Sequence, residues 1–279
     1  MSEKAQAHFV EINGIPIYYV EAGEGPPLVF IHGWSLDLTY WKPQMTYFSA
    51  QYHVFAYDYR GSGKSGGAEP PFDLMQMVEE LVALLAELGI ERPILCGHSL
   101  GGDIALQCAV TYPDTLSALI IIDSPWFVWK SRLTYYGIVL GIGIGKLLRL
   151  KPPQKLLVPF CRFLFYTKKY EQTHPEAIAA WEQQFLSNSV PGLINSGRAW
   201  GYRENISEQV SALTIPTLII RGEKDRIVSQ REVENQHRHI PGSQLHIIES
   251  TGHMSFEEKP VVVNRVMETF LSARKKEKR

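Results

Sequence analysis

The chain has 279 residues, of which 45% are hydrophobic and 20% charged, with a formal net charge of −1. That apolar content excludes a disordered or fibrous chain, and the lack of a basic excess removes the electrostatic basis for nucleic-acid binding. At this length one core with one inserted lobe is the expectation.

The first residues, MSEKAQAHFVEIN, carry charge and no apolar run of signal-peptide length, so a cytoplasmic address is expected. HFVEIN and IPIYYVEA flank Asn13-Gly14, a dipeptide that tolerates the positive φ of a two-residue hairpin turn, so the chain opens with an antiparallel pair. Then the pattern changes. PLVFIHG, HVFAYD, RPILCGH, LSALIIIDS, PTLIIRG and QLHIIES are short apolar runs read as strands buried on both faces, which completes an α/β fold with a mostly parallel, eight-stranded sheet. Helices are expected between most strands, among them Leu74 to Leu88, stopped by Gly89, and a closing helix from Phe256 to Leu271. Cys96, Cys108 and Cys161 are odd in number and lack metal-ligand spacing, so free buried thiols are expected.

The alternation stops between Asp123 and about Gln209, where helical pattern runs on without a strand. This is too long for a loop. The expected organisation is a core of residues 1–123 and 210–279 with a helical cap over 124–209. Inside it YYGIVLGIGIG is apolar, but glycines interrupt it and it falls short of the ~18 residues that span a bilayer. The tail ARKKEKR is expected to fray in solvent.

GSGKSGG, Gly61 to Gly67, looks like the end of a phosphate-binding loop. Such a loop needs a further glycine five positions before Gly63, and Asp58 stands there, with a charge that repels phosphate. Nucleotide binding is set aside, and nothing calls for a metal or another cofactor.

CGHSLGG tells more. It follows the apolar run RPIL and precedes the helical pattern DIALQCAVTYP, giving strand, Gly97-His98-Ser99-Leu100-Gly101, helix. A strand turning that sharply into a helix strains its corner residue and needs small neighbours, which Gly97 and Gly101 supply. The turn lifts the Ser99 hydroxyl above the sheet edge as a candidate nucleophile. Serine is weakly nucleophilic and needs a base oriented by a third group. His253, in ESTGHMSFEEKP after the last strand, is the candidate base, and Asp225, in RGEKDRIV after PTLII, the candidate acid. Asp123, at the end of LIIID, sits at another strand terminus and is the alternative acid. Donors for an oxyanion are expected from the backbone N–H groups of Leu100 and of Trp34, in FIHGWS.

HGW, DYRGSGKS, GHSLGG, GEKD and GHMSFEEKP together resemble the α/β-hydrolase fold family, in its cap-bearing esterase and lipase-like branch, over nearly the whole chain outside the insertion. The resemblance implies a cofactor-free serine hydrolase that cleaves carboxylic esters with a hydrophobic acyl or alcohol part through an acyl-enzyme. Carbon–carbon bond hydrolysis of diketones, or ligand reception by a slow hydrolase, remain open on the same fold. Epoxide and haloalkane chemistry is disfavoured, because family members that perform it carry Asp where Ser99 stands. DYRGSGKS becomes a structural loop, with Asp58 and Arg60 expected to pair and hold it.

The cap has its own composition. Ser124 to Tyr170 holds nine basic residues (Lys130, Arg132, Lys146, Arg149, Lys151, Lys155, Arg162, Lys168, Lys169) and no acidic one, leaving 19 basic against 29 acidic residues elsewhere. Interleaved are Trp126, Phe127, Trp129, Tyr135, Tyr136, Phe160, Phe163, Phe165 and Tyr166. Two readings stand: an interfacial surface that meets anionic lipid, or aromatics facing the cap's own core while the charges pair with an acidic body.

Overall fold

The computed structural model describes residues 5–125 and 128–277. Strands β1 (Gln6–Ile12) and β2 (Ile15–Ala22) pair antiparallel across Asn13 and Gly14, whose φ values of 51° and 77° are those of the twist-matched hairpin turn. The remaining strands are β3 (Pro27–Ile31), β4 (His53–Tyr57), β5 (Ile94–His98), β6 (Ala118–Ile122), β7 (Thr217–Gly222) and β8 (Gln244–Ile248). They form one eight-stranded sheet in the order β1-β2-β4-β3-β5-β6-β7-β8, parallel from β4 onward.

Crossover helices cover the sheet. They are α1 (Lys42–Phe48), α2 (Leu74–Glu87) and α3 (Leu100–Thr111). Asp73 caps α2 reciprocally with Gln76, and Gly89 beyond its end takes φ +63°, so both boundaries follow local chemistry. Between β6 and β7 run α4 (Val128–Leu147), α5 (Val158–Phe165), α6 (Lys168–Thr173), α7 (Pro175–Ser187) and α8 (Val190–Gly201). Gly141 and Gly145 let the 3-10 turn Pro153–Leu157 press onto α4, since a Cβ on Gly145 would lie 2.0 Å from the Pro153 carbonyl oxygen. The chain closes with α9 (Gln230–His239), α10 (Ser255–Glu258) and α11 (Pro260–Glu277).

Three expectations are corrected. QLHIIES is not buried on both faces: β8 is the sheet's edge, and only Ile248 in it is fully buried. The closing helix is broken at Lys259, because Pro260 lacks the N–H that would continue α10, and α11 restarts there with its helical backbone reaching Glu277. Asp58 and Arg60 do not pair. The Asp58 carboxylate accepts from the backbone N–H groups of Leu38 and Lys64, each at 2.8 Å, and burial raises its pKa to about 7. Arg60 turns instead to Glu80 on α2, at 2.7 Å, and stacks on Phe72. The GSGKSGG loop thus wraps a carboxylate, with Gly63 so close that a Cβ would meet Asp58 Oδ2 at 2.0 Å. All three cysteines are free and buried.

Candidate active site

β5 ends at His98 and α3 begins at Leu100, leaving Ser99 as the corner with φ 50° and ψ −118°. Such a conformation costs a non-glycine residue about 1–3 kcal/mol and persists only where its surroundings over-determine it. Here they do. A Cβ on Gly97 would lie 2.2 Å from the Gly101 carbonyl oxygen, and one on Gly101 2.2 Å from that of Ile31. The Ser99 N–H donates to Ile122 O at 2.9 Å, and Ser124 Oγ donates to the Ser99 carbonyl at 2.6 Å.

Three sequence candidates meet at this corner. His253 Nε2 lies 3.0 Å from Ser99 Oγ, and His253 Nδ1 lies 2.9 Å from Asp225 Oδ2. Asp225 Oδ1 accepts from the N–H groups of Ile227 (2.7 Å) and Val228 (3.0 Å), so one carboxylate oxygen is fixed by backbone and the other faces the imidazole. All three side chains are buried. Burial pulls the His253 pKa down, but the charge and hydrogen bond of Asp225, aided by Asp123, raise it above 6.5 on balance. Asp123 does not reach His253. Its Oδ1 accepts from Gly222 N–H at 2.7 Å and its Oδ2 from the Ser255 hydroxyl at 2.6 Å, tying β6 to β7 and to the residues after His253. Burial, followed by repulsion from Asp225, raises its pKa to about 7.

Of the two expected oxyanion donors, Leu100 follows the serine directly and Trp34 lines the same cavity as it. Leu100 opens α3, so its N–H has no partner within the helix. The His32-Gly33-Trp34 turn packs on His98 so closely that a Cβ on Gly33 would lie 2.6 Å from His98 Nδ1. The Trp34 indole is held by Leu193 O at 2.9 Å, and Trp34 and Ser99 line the same cavity. His98 contributes more than its place in the motif suggested: its Nε2 donates to the His253 carbonyl at 2.9 Å, and burial holds it neutral. No sequence signal pointed to this bond, because its acceptor is a backbone carbonyl, which any residue type carries.

That cavity has a volume of about 480 Å³ and reaches Ser99 and His253 at its base. Its walls come from the segment between β6 and β7, with Leu133, Ile138, Leu157, Phe160, Leu164 and Trp200 among them. The segment is tied to both loops of the site. Arg226, next to Asp225, donates to the carbonyls of Phe163 and Tyr166, and Glu258, close after His253, accepts from Thr167 Oγ1 at 2.6 Å. Trp126 and Phe127 lie outside the described residues, and Phe165 and Tyr166 are buried, so the aromatics do not all face one way. Among the described residues no cluster of three or more His, Cys, Asp or Glu is placed to hold a metal.

A family model for the alpha/beta hydrolase fold matches residues 26–260. The chain is 24% identical over 267 residues to 3-oxoadipate enol-lactonase 2 of Acinetobacter baylyi, covering 92% of this chain and 93% of that protein. It is 30% identical over 285 residues to the soluble epoxide hydrolase of a Corynebacterium, covering 94% and 96%. Among solved structures, the thermophilic esterase of Thermogutta terrifontis superposes with a TM-score of 0.86 at 25% identity, covering 96% of this chain and 98% of that one.

Proposed function

The chain belongs to the alpha/beta hydrolase fold family, and within it we propose that this member is a serine hydrolase of carboxylic esters with a lipophilic acyl or alcohol part. The observation that carries the reading is the Ser99 Oγ, 3.0 Å from His253 Nε2, at the base of a cavity walled by aliphatic and aromatic side chains. His253 Nε2 takes the Ser99 proton as Oγ attacks the ester carbonyl, while Nδ1–H stays bonded to Asp225, which stabilises the imidazolium. The carbonyl oxygen becomes an oxyanion that accepts from the N–H groups of Trp34 and Leu100. The imidazolium returns the proton to the leaving alkoxide, and an acyl-Ser99 ester remains. Water then adds by the same route, releasing the acid and restoring Ser99.

A lactone is a cyclic ester, so the chemistry in the Acinetobacter relative's name falls within this class. Epoxide opening does not fit Ser99. A serine oxygen adding to an epoxide carbon would leave an ether that water cannot cleave, whereas a carboxylate nucleophile would leave an ester. The cavity volume of about 480 Å³ falls in the range of small-molecule sites.

The test is steady-state hydrolysis of p-nitrophenyl esters from acetate to palmitate by the wild type and Ser99→Ala. Turnover with a chain-length optimum, abolished by the substitution, is expected. A wild type that hydrolyses none of the series would refute the ester reading and leave carbon–carbon bond cleavage or ligand reception.

A further inference from the structure

The outer face of α4 is as apolar as its inner one. Ile138 and Ile142 pack inward, while Leu133, Leu140, Ile144 and Leu147, spaced seven, four and three positions apart on the opposite face, are 64%, 64%, 39% and 82% exposed. Phe160 and Phe163 extend the patch onto α5. Ten of the sixteen large apolar side chains that the described residues expose fall within residues 133–163. Such clustering departs from the scattered exposure normal on a soluble surface and marks a contact face. A helix apolar on all sides is ordinarily buried in protein or lipid. Among the described residues no helix is long and apolar enough to cross a membrane, so the contact is along a surface.

Charge decides the partner. Lys146, Arg149, Lys151 and Lys155 surround the end of α4 and are exposed, and among the described residues none of them pairs with a carboxylate. Of the described basic set only Arg162 does, with Glu182 at 2.7 Å and Glu171 at 4.0 Å. Both partners lie on α6 and α7, within the same segment between β6 and β7, so among the described residues the reading in which the cap's charges pair with the acidic body accounts for none of them. An unpaired cationic rim around an apolar face complements an anionic bilayer, with side chains entering the acyl region and ammonium groups meeting phosphates. It opposes a second copy of this chain, which would bring two cationic rims together. Leu133 and Phe160 are exposed and also line the cavity, so its mouth opens within this patch.

We propose that the outer face of α4 and α5 docks this protein reversibly on anionic lipid, with the mouth of the Ser99 cavity turned toward the bilayer. The test is flotation of the full chain with vesicles of phosphatidylcholine alone and of phosphatidylcholine mixed equally with phosphatidylglycerol, alongside sedimentation analysis of the free protein. Binding to the mixed vesicles that falls with salt is expected. Replacing Lys146, Arg149, Lys151 and Lys155 together by Gln should weaken it by two orders of magnitude or more, at about fivefold per charge. Leu140→Glu with Leu147→Glu should abolish it. These side chains lie outside the cavity, so thermal melting and hydrolysis of a water-soluble short ester should stay unchanged. Flotation needs no turnover, so failure to bind and failure of the hydrolytic reading are read separately. No binding to mixed vesicles, equal binding to neutral ones, or a dimer that the two Glu substitutions dissociate would overturn the proposal.

Discussion

Asp225→Asn tests the proposed triad at its least exchangeable atom. Asp225 Oδ1 accepts from Ile227 and Val228 N–H, and only an oxygen can do that. In the Asp225→Asn variant the amide oxygen must therefore keep this position, which forces the NH2 to the place of Oδ2, 2.9 Å from His253 Nδ1. Nδ1 then accepts rather than donates, and the imidazole proton moves to Nε2. That nitrogen faces Ser99 Oγ at 3.0 Å and must be unprotonated to act as a base. The wrong tautomer is thus imposed by two backbone bonds, with no change of shape.

The expected loss in kcat is about 10⁴-fold, the scale of a mis-set tautomer in a serine triad, or ~5.5 kcal/mol of barrier. KM should hold, because Asp225 does not line the cavity. Stability should not fall, since the substitution removes the Asp123–Asp225 repulsion that helps raise the Asp123 pKa. The assay is steady-state kinetics on the best p-nitrophenyl ester, with thermal melting as a control. A loss below tenfold would refute the tautomer argument, and a large fall in melting temperature would assign the effect to folding.

His253 must be neutral to accept the Ser99 proton, and its pKa is held above 6.5, so kcat/KM should rise with pH through an apparent pKa above that value and be lost at acid pH. Asp123→Asn removes one charge that raises this pKa, so the acid limb should move to lower pH while the plateau stays. Gly101→Ala would place a Cβ 2.2 Å from Ile31 O and 2.6 Å from His32 O, both rigid backbone, and should cost at least ~1–3 kcal/mol in a denaturant titration with loss of activity. Gly137 lines the cavity and a Cβ there meets nothing within 4 Å, so Gly137→Leu should shift the chain-length optimum to shorter esters with no loss of stability, helix propensity favouring it by up to ~1 kcal/mol. Glu258 accepts from Thr167 N (3.1 Å), Thr167 Oγ1 (2.6 Å) and Gly252 N (3.0 Å), so Glu258→Ala should lower kcat about 10- to 100-fold by loosening the His253 loop. Glu258→Gln keeps an acceptor for the two N–H groups and should restore most of it.

What the sequence disclosed and what it withheld divide along a physical line. The Ser99 corner was legible because its geometry leaves no room for Cβ at Gly97 or Gly101, a requirement written into residue identity at fixed spacing. Asp225 and His253 were legible because loops at the carboxyl ends of parallel strands converge on one edge, whatever the intervening length. Asp58 was misread for the opposite reason. Its partners are backbone N–H groups at Leu38 and Lys64, and any residue type carries those, so composition pointed to Arg60 while the fold sent Arg60 to Glu80. β8 was misread because an edge position belongs to the topology of the sheet, and its apolar run resembles those of the interior strands.

The segment between β6 and β7 shows the same limit at larger scale. In α4 both faces are apolar, so periodicity cannot tell which one packs inward. The choice is made by Gly141 and Gly145, which admit the Pro153–Leu157 turn on one side, and it leaves Leu140, Ile144 and Leu147 on the other. A substitution that merely kept hydrophobicity at Gly145 would meet the Pro153 carbonyl at 2.0 Å and push the turn away, opening the roof of the cavity. The two glycines that look like interruptions of an apolar helix are therefore what turns the remainder of that helix outward.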